Sequence, residues 1–131
     1  TPLGHPLLEK PALAPEDLRD APLILGDARE WAEFRWRLSD LFNAEGVALR
    51  PALEASNTLA LVGLVAAGLG LTIFPESLLG FLGRHVDARP IDHPSFRSQT
   101  ILVWRRRHQP PLVRRFIAAA QAIAPAAATA P

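Results

Sequence analysis

The polar side chains best suited to binding a ligand are those of Ser56, Asn57 and Thr58, which stand just before a long apolar segment. Their oxygens can accept hydrogen bonds from the first N–H groups of a helix, so the cluster predicts a helix start. Unpaired N–H groups and the helix dipole also favour an anion there, by about 0.3 to 1 kcal/mol at an exposed site. Capping alone explains Ser56 and Asn57 slightly better than ligand contact does, and both interpretations stay open.

A second polar break, Gly26-Asp27-Ala28, follows a short apolar segment at residues 22–25. Ligands of open α/β sheets bind at the carboxyl ends of strands, beside helix N-termini, so Gly26, Asp27 and Ala28 join the candidate ligand-binding residues. Asp27 is predicted to cap the helix that follows. If its carboxylate is free it repels an anion, and the ligand then needs a hydroxyl or an amine at that end. A small carboxylate is the ligand that we expect.

The segment after the Ser56 cluster predicts a helix, a turn and a strand. Residues 59–67 are apolar nearly all round, so their helix should be covered on several sides by its own protein. The glycines that follow suit a helix exit and a tight turn. Residues 71–74 then predict a short buried strand, which Pro75 ends. Phe74 and Pro75 can supply an apolar wall for the ligand, although core packing explains Phe74 better.

The apolar run at residues 59–74 has two other interpretations, and both are rejected. It is shorter than the roughly 20 residues that a helix spanning a bilayer needs, and glycines interrupt it. A dinucleotide-binding fingerprint requires a strand, a glycine loop and then a helix, whereas here the predicted helix precedes the glycines. The run therefore predicts neither a membrane span nor a phosphate-binding loop.

Residues that could support catalysis or bind a metal are few. The chain has no cysteine, which excludes disulfides, thiolate ligands and cysteine nucleophiles. The histidines at positions 5, 85, 93 and 108 show no metal-ligand spacing, and no serine stands in a GxSxG motif. We therefore expect no catalytic residue, no metal site and no cofactor, and we do not expect an enzyme.

The other elements alternate between helices and strands, which predicts an α/β fold with a largely parallel sheet. Strands are expected at residues 22–25, 47–53 and 101–104, a short helix at 76–82 and extended chain at 86–91. A helix is predicted at residues 28–44, and a last amphipathic helix opens at Pro111. The apolar stripe of the former comprises Trp31, Phe34, Leu38, Leu41 and Phe42, and the inward side of the latter comprises Leu112, Val113, Phe116, Ile117 and Ala120.

Several motifs, taken in order, resemble those of the effector-binding domain of LysR-type transcriptional regulators. The most specific is a Val-Ala-Ala-Gly-Leu-Gly segment followed by an apolar strand and a proline, present here at residues 65–75. The others are His5-Pro6-Leu7, Glu16-Asp17-Leu18 before the strand at 22–25, and the strand at 101–104 that ends in arginines. The resemblance covers residues 5–123, almost the whole chain.

The resemblance implies a Rossmann-like α/β fold of the type II periplasmic-binding-protein kind, a mostly parallel sheet flanked by helices. Residues 1–89 would form the second regulatory subdomain with its entry crossover strand. Residues 90–124 would supply the return crossover, a strand and the C-terminal helix of the first subdomain, and residues 125–131 a flexible tail. Because the family's N-terminal winged helix-turn-helix has no counterpart here, we expect a truncated sensor.

The resemblance also implies a function and partners. A small metabolite would bind in the cleft between the subdomains, at the two polar turns, and would control transcription. Promoter DNA would be bound only through the absent winged helix-turn-helix, and the protein would be bacterial, cytoplasmic and homo-oligomeric, a dimer or a full-length tetramer, with no membrane partner. Because the sheet on which the last strand and helix normally pack is missing, we expect exposed apolar surface and self-association.

Charge is unevenly distributed along the chain, although its net value is only +1. Residues 1–83 hold six basic and eleven acidic side chains, whereas residues 84–131 hold eight arginines and two aspartates. Arginines on the solvent side of a helix explain this basic part better than direct DNA binding does. A periplasmic-type solute-binding protein and a small α/β enzyme are the other functions left open.

Overall fold

The structure, a computed structural model, describes residues 1–98, 101–107 and 109–123 and divides into two compact units, Thr1–Ser98 and Gln99–Pro131. The mixture of helices and parallel strands confirms the predicted α/β class. The predicted tail, residues 125–131, lies outside the described residues. The elements are the strands β1 (Leu23–Gly26) and β2 (Pro51–Ala55), the helices α1 (Ala32–Ala44), α2 (Thr58–Ala66) and α3 (Pro111–Ile123), and 3-10 helices at Pro6–Glu9, Pro15–Leu18 and Glu76–Phe81.

The strands β1 and β2 pair in parallel, with Gly26 opposite Ala55 at their carboxyl ends. β1 lies within one residue of its prediction, but β2 starts later than predicted. The reason is at Val47, whose N–H donates to the Phe42 carbonyl at 2.9 Å, so this part of the chain closes α1 instead of joining the sheet. The strand predicted at residues 71–74 shortens to one parallel bridge, between Leu71 and Leu23.

The core of the first unit lies on both faces of β1, because successive side chains of a strand point to opposite sides. Leu23 and Leu25 belong to one buried cluster, which also contains Leu38 and Phe42 of α1. Ile24, between them in sequence, belongs to a second cluster with Val65 of α2 and Val86. The two helices therefore cover opposite faces of the short sheet.

Helix α1 begins four residues later than predicted, at Ala32, because residues 28–30 form a turn. Two residues of its predicted apolar stripe, Leu38 and Phe42, are buried as expected. The Phe42 ring lies edge-on to Phe96, with 4.8 Å between ring centroids. Trp36, which is off the stripe, is exposed.

Helix α2 was predicted to be covered on several sides, and that prediction is wrong. Only Leu61 and Val65 are buried, whereas the side chain of Leu59 is 84% exposed. A helix lying on one face of a two-stranded sheet can bury only the stripe that touches the sheet. The opposite side, which carries Leu59 and Gly63, faces outward.

In the first unit, the chain at residues 8–13 lies beside the chain at residues 89–91. Leu13 forms a parallel bridge with Ile91, and its N–H donates to the Pro90 carbonyl at 2.8 Å. Arg89 adds side-chain bonds to the carbonyls of Leu8 and Lys10. These contacts support extended chain at residues 86–91, as predicted.

In the second unit, helix α3 is confirmed, but the strand predicted at residues 101–104 is not. A strand needs a partner, and within the described part of the chain these residues pair with no other strand. Ile117 is buried as predicted, whereas Leu112, Val113 and Phe116 are exposed instead of inward. The expected exposed apolar surface is therefore present, and self-association stays a prediction. Among the described residues, no helix is long and apolar enough to cross a membrane.

Candidate functional site

The two polar turns leave the sheet at the same edge. Gly26 and Ala55 are the last residues of the paired parallel strands, and the N–H of Asp27 donates to the Ala55 carbonyl at 3.0 Å. Asp27 and Ser56, the next residue along each strand, therefore begin neighbouring turns. This is the carboxyl edge at which open α/β sheets bind ligands.

The first turn is held by Asp27 itself. One carboxylate oxygen, Oδ1, accepts from the N–H groups of Arg29 at 2.9 Å and Glu30 at 2.8 Å. Asp27 thus closes a turn before α1 and does not cap the helix, whose first flanking residue is Trp31. The carboxylate accepts from two amide N–H groups of this turn, so those two donors are not available to a ligand.

The second turn starts α2 as predicted. Asn57 is the N-cap, and its Oδ1 accepts from the N–H of Ala60 at 2.9 Å. Its carbonyl accepts from Leu61 at 3.0 Å. In the part of the chain that the structure describes, the N–H groups of Thr58 and Leu59 have no protein acceptor, which is usual at the start of a helix. Two donors are therefore free at this turn.

The other predicted residues surround these turns to different degrees. Gly26 is buried, Ala28 and Ser56 are exposed, and Ser56 Oγ lies 3.4 Å from the Asn57 side-chain nitrogen. The structure thus brings residues 26–28 and 56–58 together at one edge. Phe74 and Pro75 are half-buried and follow Leu71, which is joined to β1 through its bridge with Leu23. Their contact with a ligand stays a prediction.

Trp31 is a residue of this edge that sequence reasoning assigned only to the core. Its indole packs directly against Gly26, where the Cβ of any other residue would overlap the ring. It also lies edge-on to Phe34, with 6.0 Å between ring centroids. The glycine that closes β1 was the signal, because a glycine at a strand end marks close approach by another group. An open groove of about 310 Å³ is lined by Glu30, Trp31, Glu33, Phe34 and Arg37.

Arg35 was also missed. From α1 its Nη1 donates to the Gly26 carbonyl at 3.1 Å and to Glu54 Oε1 of β2 at 2.5 Å. No feature of the sequence distinguishes Arg35 from the other arginines of this helix, since the partners lie nine and nineteen residues away.

Two histidines, His5 and His93, have side-chain partners in the structure, and His108 lies outside the described residues. His5 Nδ1 accepts from the N–H of Leu7 at 3.2 Å and caps a 3-10 helix, which is a structural role. His93 Nε2 lies 3.3 Å from Glu45 Oε1. Among the described residues, no group of three or more potential ligands could hold a metal ion.

A family model for the LysR substrate binding domain matches residues 1–124. The chain belongs to this family. The resemblance seen in the sequence is thereby confirmed, as is the fold of the type II periplasmic-binding-protein kind that it implied. Family members are effector-sensing domains of transcriptional regulators, a class that is not typically enzymatic.

Two curated relatives of this LysR substrate-binding domain are similar along most of its length. HTH-type transcriptional regulator AlsR of Bacillus subtilis (strain 168) is 28% identical over 116 residues, which are 88% of this chain and 38% of AlsR. HTH-type transcriptional regulator BudR of Raoultella terrigena is 25% identical over 114 residues, or 87% of this chain and 39% of BudR. The chain thus spans about two fifths of the length of these regulators.

Proposed function

We propose that this LysR substrate-binding domain senses a small carboxylate at the turn that opens α2. The observation that carries the proposal is the pair of free N–H groups on Thr58 and Leu59, at a helix start on the carboxyl edge of the sheet. The two donors and the positive end of the helix dipole favour a carboxylate group over a neutral one. Asn57 holds the turn in shape by capping the helix.

The neighbouring turn sets the other end of the ligand. Asp27 presents a carboxylate that already accepts two backbone N–H groups, and its second oxygen can accept a further hydrogen bond. An effector with a hydroxyl or an amine several atoms from its carboxylate would pair with that oxygen. Phe74 and Pro75 would supply the apolar wall, as their half-buried positions permit.

In the whole regulator, binding would act by shifting a population of conformations. An effector can bias an equilibrium only if it binds one arrangement of the subdomains more tightly than the other. We propose that a winged helix-turn-helix in the full-length protein binds promoter DNA and that the regulator is a cytoplasmic homo-oligomer. Both relatives are HTH-type transcriptional regulators by name, which supports this part of the proposal.

The test is a thermal-shift series on the full-length protein with formate, acetate, propionate and benzoate. A ligand that binds only the folded state, at 100 times its Kd, adds about 2.7 kcal/mol to the stability. Asn57→Leu should abolish the shift, since it removes the cap and blocks the turn. Asn43→Leu is the matched control, because Asn43 is also exposed but lies at the far end of α1. Equal shifts in the two variants would refute this binding site.

A further inference from the structure

We propose that Arg35 and Glu54 form a clamp that holds the two effector turns at a fixed spacing, as positioning residues that do not touch the effector. The inference rests on the proposed function, because it assigns the clamp a purpose in effector binding. Arg35 lies on α1 and Glu54 on β2, and no motif in the sequence marks either residue.

The clamp acts on the peptide group that opens the first turn. The Gly26 carbonyl and the Asp27 N–H belong to one peptide unit, and a peptide unit is planar. The N–H donates to the Ala55 carbonyl at 3.0 Å, and the carbonyl accepts from Arg35 Nη1 at 3.1 Å. Both polar groups of this unit are therefore held, so its plane cannot rotate while the two bonds persist.

The second contact of the clamp joins Arg35 to β2. Arg35 Nη1 also donates to Glu54 Oε1 at 2.5 Å, and Glu54 directly precedes Ala55 in the sequence. The contacts close a ring that runs from the Asp27 peptide through Arg35 and Glu54 to Ala55 and back. Ala55 is joined directly to Ser56, the first residue of the second turn. Movement of one turn relative to the other must break a member of this ring.

The clamp also controls charge at the edge of the sheet. Glu54 is three residues before Asn57 and its side chain is 46% exposed, so without a partner it would repel a carboxylate ligand. Arg35, only 20% exposed, supplies the compensating positive charge. Loss of Arg35 would therefore weaken binding in two ways, through a looser turn and through an uncompensated carboxylate.

The experiment measures amide hydrogen exchange and carboxylate affinity in Arg35→Gln, Glu54→Gln and Arg35→Lys variants of the full-length protein. The matched control is Lys10→Gln. It removes an ion pair of the same 2.5 Å length, between Lys10 and Asp17, and neither residue belongs to the two turns. Glu54→Gln keeps the shape of the side chain and serves as the second variant if Arg35→Gln fails to fold. The probes are formate, acetate, propionate and benzoate.

We expect both glutamine variants to speed exchange of the Asp27 and Glu30 amides without ligand. Arg35→Gln should also weaken carboxylate binding by about fivefold, since the bonds involve a charged but partly exposed pair. Glu54→Gln should weaken binding less, because it loosens the turn but also removes the carboxylate that repels the ligand. Arg35→Lys keeps the charge and should recover part of the affinity but not the slow exchange. Lys10→Gln should change neither quantity.

Each outcome decides a separate claim. Wild-type exchange rates and affinity in Arg35→Gln and Glu54→Gln, together with lost binding in Asn57→Leu, would overturn the clamp and leave the proposed binding site intact. Unchanged binding in Asn57→Leu would overturn the proposed site. If no probe binds the wild-type protein, the exchange rates alone decide the clamp, and equal rates in Arg35→Gln and Lys10→Gln would overturn it.

Discussion

Gly70 allows the chain at residues 70 and 71 to approach β1, and its replacement by alanine tests that packing. A Cβ at Gly70 would overlap the Pro22 carbonyl oxygen and would lie 3.0 Å from the Ile24 Cγ1 atom. Neither neighbour can move away freely. The Pro22 oxygen belongs to the backbone and accepts from the Leu71 N–H at 2.9 Å, and Ile24 is fully buried.

The expected loss of stability follows from these two contacts. Displacing the Pro22 carbonyl forfeits a backbone hydrogen bond, which contributes about 1 kcal/mol. Overpacking a tight site costs about 1 to 3 kcal/mol more. Gly70→Ala should therefore lower the free energy of unfolding by about 2 to 4 kcal/mol. Urea denaturation measures this loss as a lower midpoint with an unchanged slope.

Gly63→Ala is the matched control, because it makes the same chemical change on α2, where a Cβ would meet nothing within 4 Å. Alanine is the better helix former by about 0.5 to 1 kcal/mol, so this variant should be more stable than the wild type. Opposite signs for the two substitutions support the packing of residues 70 and 71 on β1. A Gly70→Ala protein as stable as the wild type would refute it.

Three further predictions concern single side chains. The Thr72 hydroxyl oxygen is buried without a protein hydrogen-bond partner among the described residues, so Thr72→Val should leave the free energy of unfolding unchanged or raise it by about 1 kcal/mol; a loss above that amount would show a hidden partner. Leu61→Ala should cost about 2 to 5 kcal/mol because Leu61 is buried, whereas Leu59→Ala should cost less than about 0.5 kcal/mol, and similar losses in urea unfolding would contradict the exposed outer side of α2. The hydrogen bond from Lys10, and then a backbone N–H, lower the pKa of Asp17 below its usual value of 3.8. This carboxylate therefore stabilises the fold above about pH 3.8 and loses that effect as the pH falls through its lower folded pKa; Asp17→Asn should flatten acid unfolding in that range, and an unchanged acid profile would contradict the assignment.

The sequence was most reliable where local chemistry determines the structure. Asn57 was expected to start a helix and does, because capping involves residues only three positions apart. The stripe of α1 likewise follows from the period of the helix, and Leu38 and Phe42 are buried as it predicts.

The errors arose where tertiary context decides. Val47 has the side chain of a strand residue, but its N–H caps α1, and the sheet therefore starts only at Pro51. The outer side of α2 is exposed because the sheet beneath it has two strands within the described residues, a limit that the apolar sequence of the helix does not reveal. Residues 101–104 have strand composition without a strand to pair with among the described residues.

The candidate site shows the same division. The two turns could be placed at one edge from the order of strands and helices, since parallel strands end on the same side. The hydrogen bonds within the turns could not be predicted. Asp27 had the side chain to cap α1, but it closes the turn before that helix instead. Arg35 was not identifiable, since its partners are distant in sequence and meet it only after β1 and β2 have paired.

The central claim is that the start of α2 receives a carboxylate, and an amide NMR titration of the full-length protein with benzoate tests it most directly. The proposal predicts that the Thr58 and Leu59 amides show the largest changes and saturate at one common Kd, while the Gly63 amide changes little. Saturable changes elsewhere in the protein, with the Thr58 and Leu59 amides unmoved, would contradict it.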